Sequence, residues 1–155
     1  MFLKKLHEIL QNNQIPFAVV GGYAVAIYGV ARGTFDVDII TELTEQNLIH
    51  LEKILSELGL KSTIPISASE IFKNKDQLQK DKNLIAWNFV NPDRQRENLD
   101  IVLTEDIRSC STFEAKTDFG NITVIGLDDL IRMKSKTGRI QDEEDVRALK
   151  TLKGN

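Results

Sequence analysis

The sequence predicts an α+β domain: a mixed, mostly antiparallel sheet flanked by helices, with two helices at the C-terminus. Three observations carry this. Short apolar or β-branched runs at 17–20 and 35–41 alternate with segments of helical period. Strand-length runs then follow one another through the second half, joined by turn residues, which argues for antiparallel neighbours. Beyond residue 126 the pattern is helical again, in two segments parted by Gly138. A single domain over 1–155 accommodates all of it, because 155 residues suffice for one buried core.

Phe2, Leu3, Leu6, Ile9 and Leu10 recur at helical spacing and predict an opening helix, ended by Asn12-Asn13 and barred from resuming by Pro16. Residues 17–20 are continuously apolar, as in a buried strand. Gly21-Gly22 breaks that strand, and 23–28 reads as a short helix stopped by Gly29. A second strand is expected at 35–41, then a helix from Thr44 to about Leu58, with Gly59 as its stop. Residues 60–67 suggest an edge strand because Pro65 has no N–H for a ladder. The polar stretch 70–80 suggests a weak helix or a loop. Paired strands follow at 84–90 and 99–104, joined by Asn91-Pro92-Asp93 and a polar run through Asn98. A hairpin at 112–116 and 122–125 turns at Gly120-Asn121, and the closing helices fall near 127–136 and 142–152.

Composition excludes several classes. With 41% apolar and 28% charged residues the chain is an ordinary globular one. A net charge of −3 gives no general basic field for nucleic acid. Cys110 is the one cysteine, so neither an internal disulfide nor a cysteine-based zinc site is expected, and a reducing, cytoplasmic setting is. Charge returns at Lys4-Lys5, too soon for a secretory signal core, and no apolar run approaches membrane-spanning length. His7 and His50 have no metal partner by spacing, and Trp87 reads as core.

The informative segment is Arg32-Gly33-Thr34-Phe35-Asp36-Val37-Asp38-Ile39. In an extended strand Phe35, Val37 and Ile39 share one face while Arg32, Thr34, Asp36 and Asp38 share the other. Two carboxylates two residues apart are hard oxygen donors suited to a shared Mg²⁺ or Mn²⁺, and without a cation they repel. Arg32 is placed to neutralise a carboxylate or a phosphate. The plain alternative is a solvated strand face, and the spacing alone does not exclude it. Upstream, Gly21-Gly22 lies between a strand and a helix, where backbone amides offer an anion site; a tight turn needing positive φ explains the same pair. Neither G-x-G-x-x-G nor G-K-[ST] is present.

Taken together, Val20-Gly21-Gly22, thirteen intervening residues and Asp36-Val37-Asp38-Ile39 resemble the nucleotidyltransferase superfamily typified by DNA polymerase beta. That resemblance implies the nucleotidyltransferase fold and a third carboxylate on a later strand, which Asp100 supplies within Asn98-Leu99-Asp100-Ile101-Val102. The Arg32-x-Thr34-x-Asp36-x-Asp38 strand also resembles small bacterial members: minimal nucleotidyltransferases, lincosamide and aminoglycoside adenylyltransferases, and abortive-infection toxins of toxin–antitoxin systems. So does the ending Leu127-x-x-Leu130-Ile131-x-x-Lys134 with Gly138-Arg139-x-x-Asp142. The chain departs from polymerase-like members in carrying Gly22 where many have Ser, leaving backbone amides to hold the triphosphate.

Leu127, Leu130, Ile131 and Lys134 share a helix face, so the Lys134 ammonium is directed either at an anionic partner or along the core towards solvent. The resemblance implies that the partner is a nucleoside triphosphate. Arg139 sits where it can reach the same region or favour a helix C-terminus, and Asp142 is expected to cap the last helix.

The function this implies is transfer of an NMP from an NTP, ATP in the first place, to a hydroxyl acceptor with release of pyrophosphate. Asp36, Asp38 and Asp100 are the expected catalytic and Mg²⁺-binding residues; Gly21, Gly22, Arg32, Thr34 and Lys134 the expected nucleotide-binding ones. The acceptor stays open between a small molecule such as an antibiotic, a protein side chain and a tRNA end. The short chain suggests that a homodimer or partner subunit completes the pocket. Two other readings are a non-catalytic nucleotide-binding partner of a toxin–antitoxin type system and a metal-dependent nuclease.

Overall fold

The computed structural model describes residues 1–31, 33 and 36–154. In chain order the elements are α1 Phe2–Asn12, β1 Phe17–Val20, α2 Gly21–Ile27, β2 Val37–Thr41, α3 Glu45–Glu57, β3 Lys61–Ser62, α4 Ala68–Lys82, β4 Ala86–Asn91, β5 Arg94–Asp106, β6 Thr112–Thr117, β7 Gly120–Ile125, α5 Leu127–Ser135 and α6 Ile140–Gly154. A single turn of 3-10 helix, Ile107–Ser109, follows β5.

The strands form one sheet in the order β3-β4-β5-β2-β1-β7-β6. β1–β2, β3–β4, β4–β5 and β6–β7 are antiparallel, whereas β1–β7 and β2–β5 are parallel. The predicted mixed, mostly antiparallel α+β architecture with two C-terminal helices is what the chain adopts. The parallel pairs matter most. β1 and β7 run the same way side by side, so the helices that follow them, α2 and α5, start at one end of the sheet. α2 packs on β1 and β2 and touches α5, while α5 packs on α6.

The core follows the strand period. Val37 and Ile39 of β2, Leu99, Ile101 and Leu103 of β5, and Trp87 and Phe89 of β4 are buried and aligned, with Trp87 opposite Ile101 and Phe89 opposite Leu99. The intervening residues Asp38, Asp100 and Asn88 alternate with that core set and align across the same three strands. Leu3, Leu6 and Leu10 of α1 and Leu48, Leu51 and Leu55 of α3 complete the main apolar cluster.

Several local expectations need correction. Residues 68–82 form a full helix, because Ser67 and Glu70 close a capping box that outweighs the polar composition. The polar run before Asn98 belongs to β5, which begins at Arg94 directly after the Pro92-Asp93 turn; pairing with β4 extends the strand beyond its apolar part. The β6–β7 hairpin turns at Asp118-Phe119, with Gly120 at φ +111° as the first residue of β7. Of the expected edge strand, Lys61–Ser62 pairs with β4, and the Thr63 N–H donates to the Asn88 carbonyl. α6 starts at Ile140, so Asp142 lies inside its first turn and is not the cap.

Candidate active site

The site is assembled where β1 ends, β2 begins and β5 passes alongside. Val20, the last residue of β1, lies opposite Asp38 of β2, and Asp38 lies opposite Asp100 of β5. Neighbouring strands are about 5 Å apart, so register alone forces the two carboxylates together. They are close enough to share a hydrogen bond, and that contact requires a proton on one of them.

Gly21 is dictated by this arrangement twice over. Its φ is +67°, a left-handed conformation that suits glycine. A Cβ on Gly21 would also lie 2.1 Å from Asp38 Oδ2 and 2.9 Å from Asp38 Cβ. The glycine therefore lets the chain turn from β1 into α2 while the Asp38 carboxylate packs against its backbone. Gly22 is buried inside α2. The tight-turn reading holds for Gly21, and the side chain packed against that turn is Asp38.

Burial is the largest influence on Asp38, followed by the charge of Asp100; with Asp36 and the Asp100 hydrogen bond they outweigh the pull of Lys134 and raise Asp38 to about 7. Asp36 is exposed and precedes β2, so it is not part of the paired strand. Arg32, Thr34 and Phe35 lie outside the described residues. Asp38 and Asp100 are thus brought together by the sheet, and Asp36 acts on Asp38 through its charge. Among the described residues no three His, Cys, Asp or Glu side chains converge into a ready-made metal cage. The donor set still fits a hard divalent cation: carboxylate oxygens, facing each other, mutually repulsive and partly withdrawn from water.

Asn88 is a site residue that sequence reasoning missed. Its Nδ2 donates to Asp100 Oδ1 at 2.7 Å, and to the Leu99 carbonyl at 3.4 Å. The register that sets Asn88 opposite Asp100 is a tertiary fact, and an asparagine within an apolar strand carries no signal of its own.

Lys134 is 8% exposed, and its ammonium lies 3.0 Å from Asp142 Oδ1 and 3.0 Å from Asp145 Oδ2. Of the two sequence-level alternatives, the stem does not run out to solvent; the ammonium meets anionic partners, which in this chain are carboxylates of α6. The same ammonium acts electrostatically on Asp38. Arg139 is mostly exposed and donates from Nε to Asp142 Oδ2 at 2.6 Å, and Thr137 donates to the same oxygen. Burial works to raise Asp142, but hydrogen bonds from Thr137, Lys134 and Arg139 bring it down to about 2.

A cleft of about 720 Å³ opens at the opposite end of β1 and β2, bordered by His7, Phe17, Glu42, Asn47 and His50. It contains none of the expected catalytic residues and is separate from this site.

No family model matches the chain, and no curated protein does. Solved structures do. A Thermotoga maritima protein assigned as a nucleotidyltransferase superposes with a TM-score of 0.61 at 19% identity, covering 99% of this chain and 91% of that one. The lincosamide antibiotic adenylyltransferase LnuA, bound to lincomycin, gives 0.62 at 15% identity over 97% and 95%. The antibiotic-resistance factor ANT(2'')-Ia gives 0.63 at 14% over 97% and 82%. The chain has the fold of the small nucleotidyltransferases.

Proposed function

From the nucleotidyltransferase fold, we propose that this protein transfers an NMP from an NTP, ATP in the first place, to a hydroxyl acceptor. The observation that carries the reading is the Asp38–Asp100 pair seated against the Gly21 turn. A structural domain gains nothing from facing two carboxylates across a strand pair at the cost of raising one to about 7. A site that binds Mg²⁺ or Mn²⁺ with a triphosphate does. Similarity to solved adenylyltransferases points the same way.

Asp38 and Asp100, joined by Asp36, would hold the cation, which supplies charge neutralisation for the phosphates. The chain's own residues do the rest. Gly21 and Gly22 bring backbone close to the β- and γ-phosphates, and Lys134 adds a buried cation whose charge reaches Asp38. Arg32 and Thr34 are assigned to phosphate contact by their place in the motif. The acceptor oxygen bonds to the α-phosphorus, the bond from that phosphorus to the bridging oxygen breaks, and pyrophosphate leaves. Asp100, which Asn88 orients, completes the metal site or takes the acceptor proton as general base.

Incubation with α-labelled NTPs, Mg²⁺ and host lysate tests this: label should appear on an acceptor, with chelator abolishing it. Asp36→Ala and Asp38→Ala should each lower transfer by about a thousandfold or more while folding survives. Full NTP-dependent transfer by those variants would refute the assignment. Nucleotide binding without any transfer or pyrophosphate release would instead favour a non-catalytic binding module.

A further inference from the structure

α6 contributes more than packing. Lys134 is on α5, yet both carboxylates that grip it come from the first turns of α6. Asp142 and Asp145 are each 2% exposed. Each is itself held: Asp142 by Thr137 and Arg139, Asp145 by the Gln141 side chain at 3.2 Å. An ammonium has three N–H donors; one goes to Asp142 Oδ1, and Asp145 Oδ2 pairs with the charge at 3.0 Å. A phosphate oxygen needs only one donor. A lysine side chain has a flexible four-carbon stem, and free on a surface it would sample many rotamers. Here α6 holds the ammonium before any ligand arrives, within electrostatic reach of Asp38.

We propose that Asp142 and Asp145 are positioning residues which act through Lys134, bracing its ammonium so that it meets the triphosphate of a bound NTP. The proposal rests on the nucleotidyltransferase reading of the site. Two carboxylates offset the lysine's charge, so what they supply is position and not attraction. That separates the brace from a competing role. If the aspartates chiefly neutralised Lys134, removing one would strengthen nucleotide binding; if they brace it, removing one weakens binding.

The experiment is titration calorimetry of the full chain with Mg²⁺ and α,β-methylene ATP, with thermal unfolding recorded for every variant. Asp145→Asn and Asp142→Asn should each weaken binding by about tenfold, within the range for residues sharing one ion network. In a Lys134→Met background the same substitutions should change binding by less than about twofold, because the residue they act through is gone. Asp145→Glu keeps the charge but moves it, should bind at an intermediate level, and serves for the comparison if the Asn variant does not fold. An undiminished Asp145 effect in the Lys134→Met background, or tighter binding by either Asn variant, overturns the brace. A wild-type protein that binds no Mg²⁺-nucleotide overturns the nucleotidyltransferase reading itself, which is a different result from a wild type that binds well and ignores the aspartates.

Discussion

Replacing Asp38 by Asn should make the metal-free protein more stable at neutral and alkaline pH, although it destroys the proposed chemistry. Burial, then Asp100, raise Asp38 from 3.8 to about 7. At 1.36 kcal/mol per pH unit, the ceiling on the ionisation penalty is about 4 kcal/mol. Solvent and relaxation around a partly exposed carboxylate recover roughly half, leaving about 2 kcal/mol. The folded state holds this proton more tightly than the unfolded chain. The penalty is therefore absent below about pH 4, grows as pH rises, and is complete above about pH 7. Asn is isosteric, removes the charge and still offers Asp100 a hydrogen bond. Its advantage should appear as a melting temperature about 6 °C higher than wild type near pH 8 in chelator, shrinking towards zero near pH 4. Thermal and urea unfolding of both proteins across that range measure it. Saturating Mg²⁺ should narrow the gap, because only the wild type gains a ligand. A variant no more stable than wild type near pH 8, or an advantage unchanged near pH 4, would refute the account of a repulsive carboxylate pair.

Two further outcomes test the frame around the site. Gly21→Ala forces an L side chain into positive φ at about 1–2 kcal/mol and sets its Cβ 2.1 Å from Asp38 Oδ2. Urea melts should show at least that loss, and transfer should fall with Asp38 displaced; a variant of wild-type stability and activity contradicts the geometry. Ser67→Ala removes the capping box of α4 and should cost about 1 kcal/mol in urea unfolding without altering nucleotide binding, since none of the proposed site residues lies on α4.

The sequence by itself determined the α+β class, the strand–glycine–helix unit and the strand that carries Asp38, because these depend on local period, turn chemistry and a compound motif. Alternation along β2 set Val37 and Ile39 into the core and left Asp38 between them. Local signals failed where pairing or a cap reached past them: α4 is a helix through the Ser67–Glu70 box, and β5 extends through polar residues because β4 supplies its ladder. Tertiary structure alone decided the rest. The register of β1, β2, β4 and β5 pressed Asp38 against Gly21, faced it with Asp100 and set Asn88 behind Asp100. The packing of α6 on α5 answered the question that helical spacing left open at Lys134, whose ammonium is held between Asp142 and Asp145. The physical reason is common to these cases. Period and turn chemistry act within a few residues, whereas a charge is stabilised or strained by whatever the fold brings within a few ångströms of it.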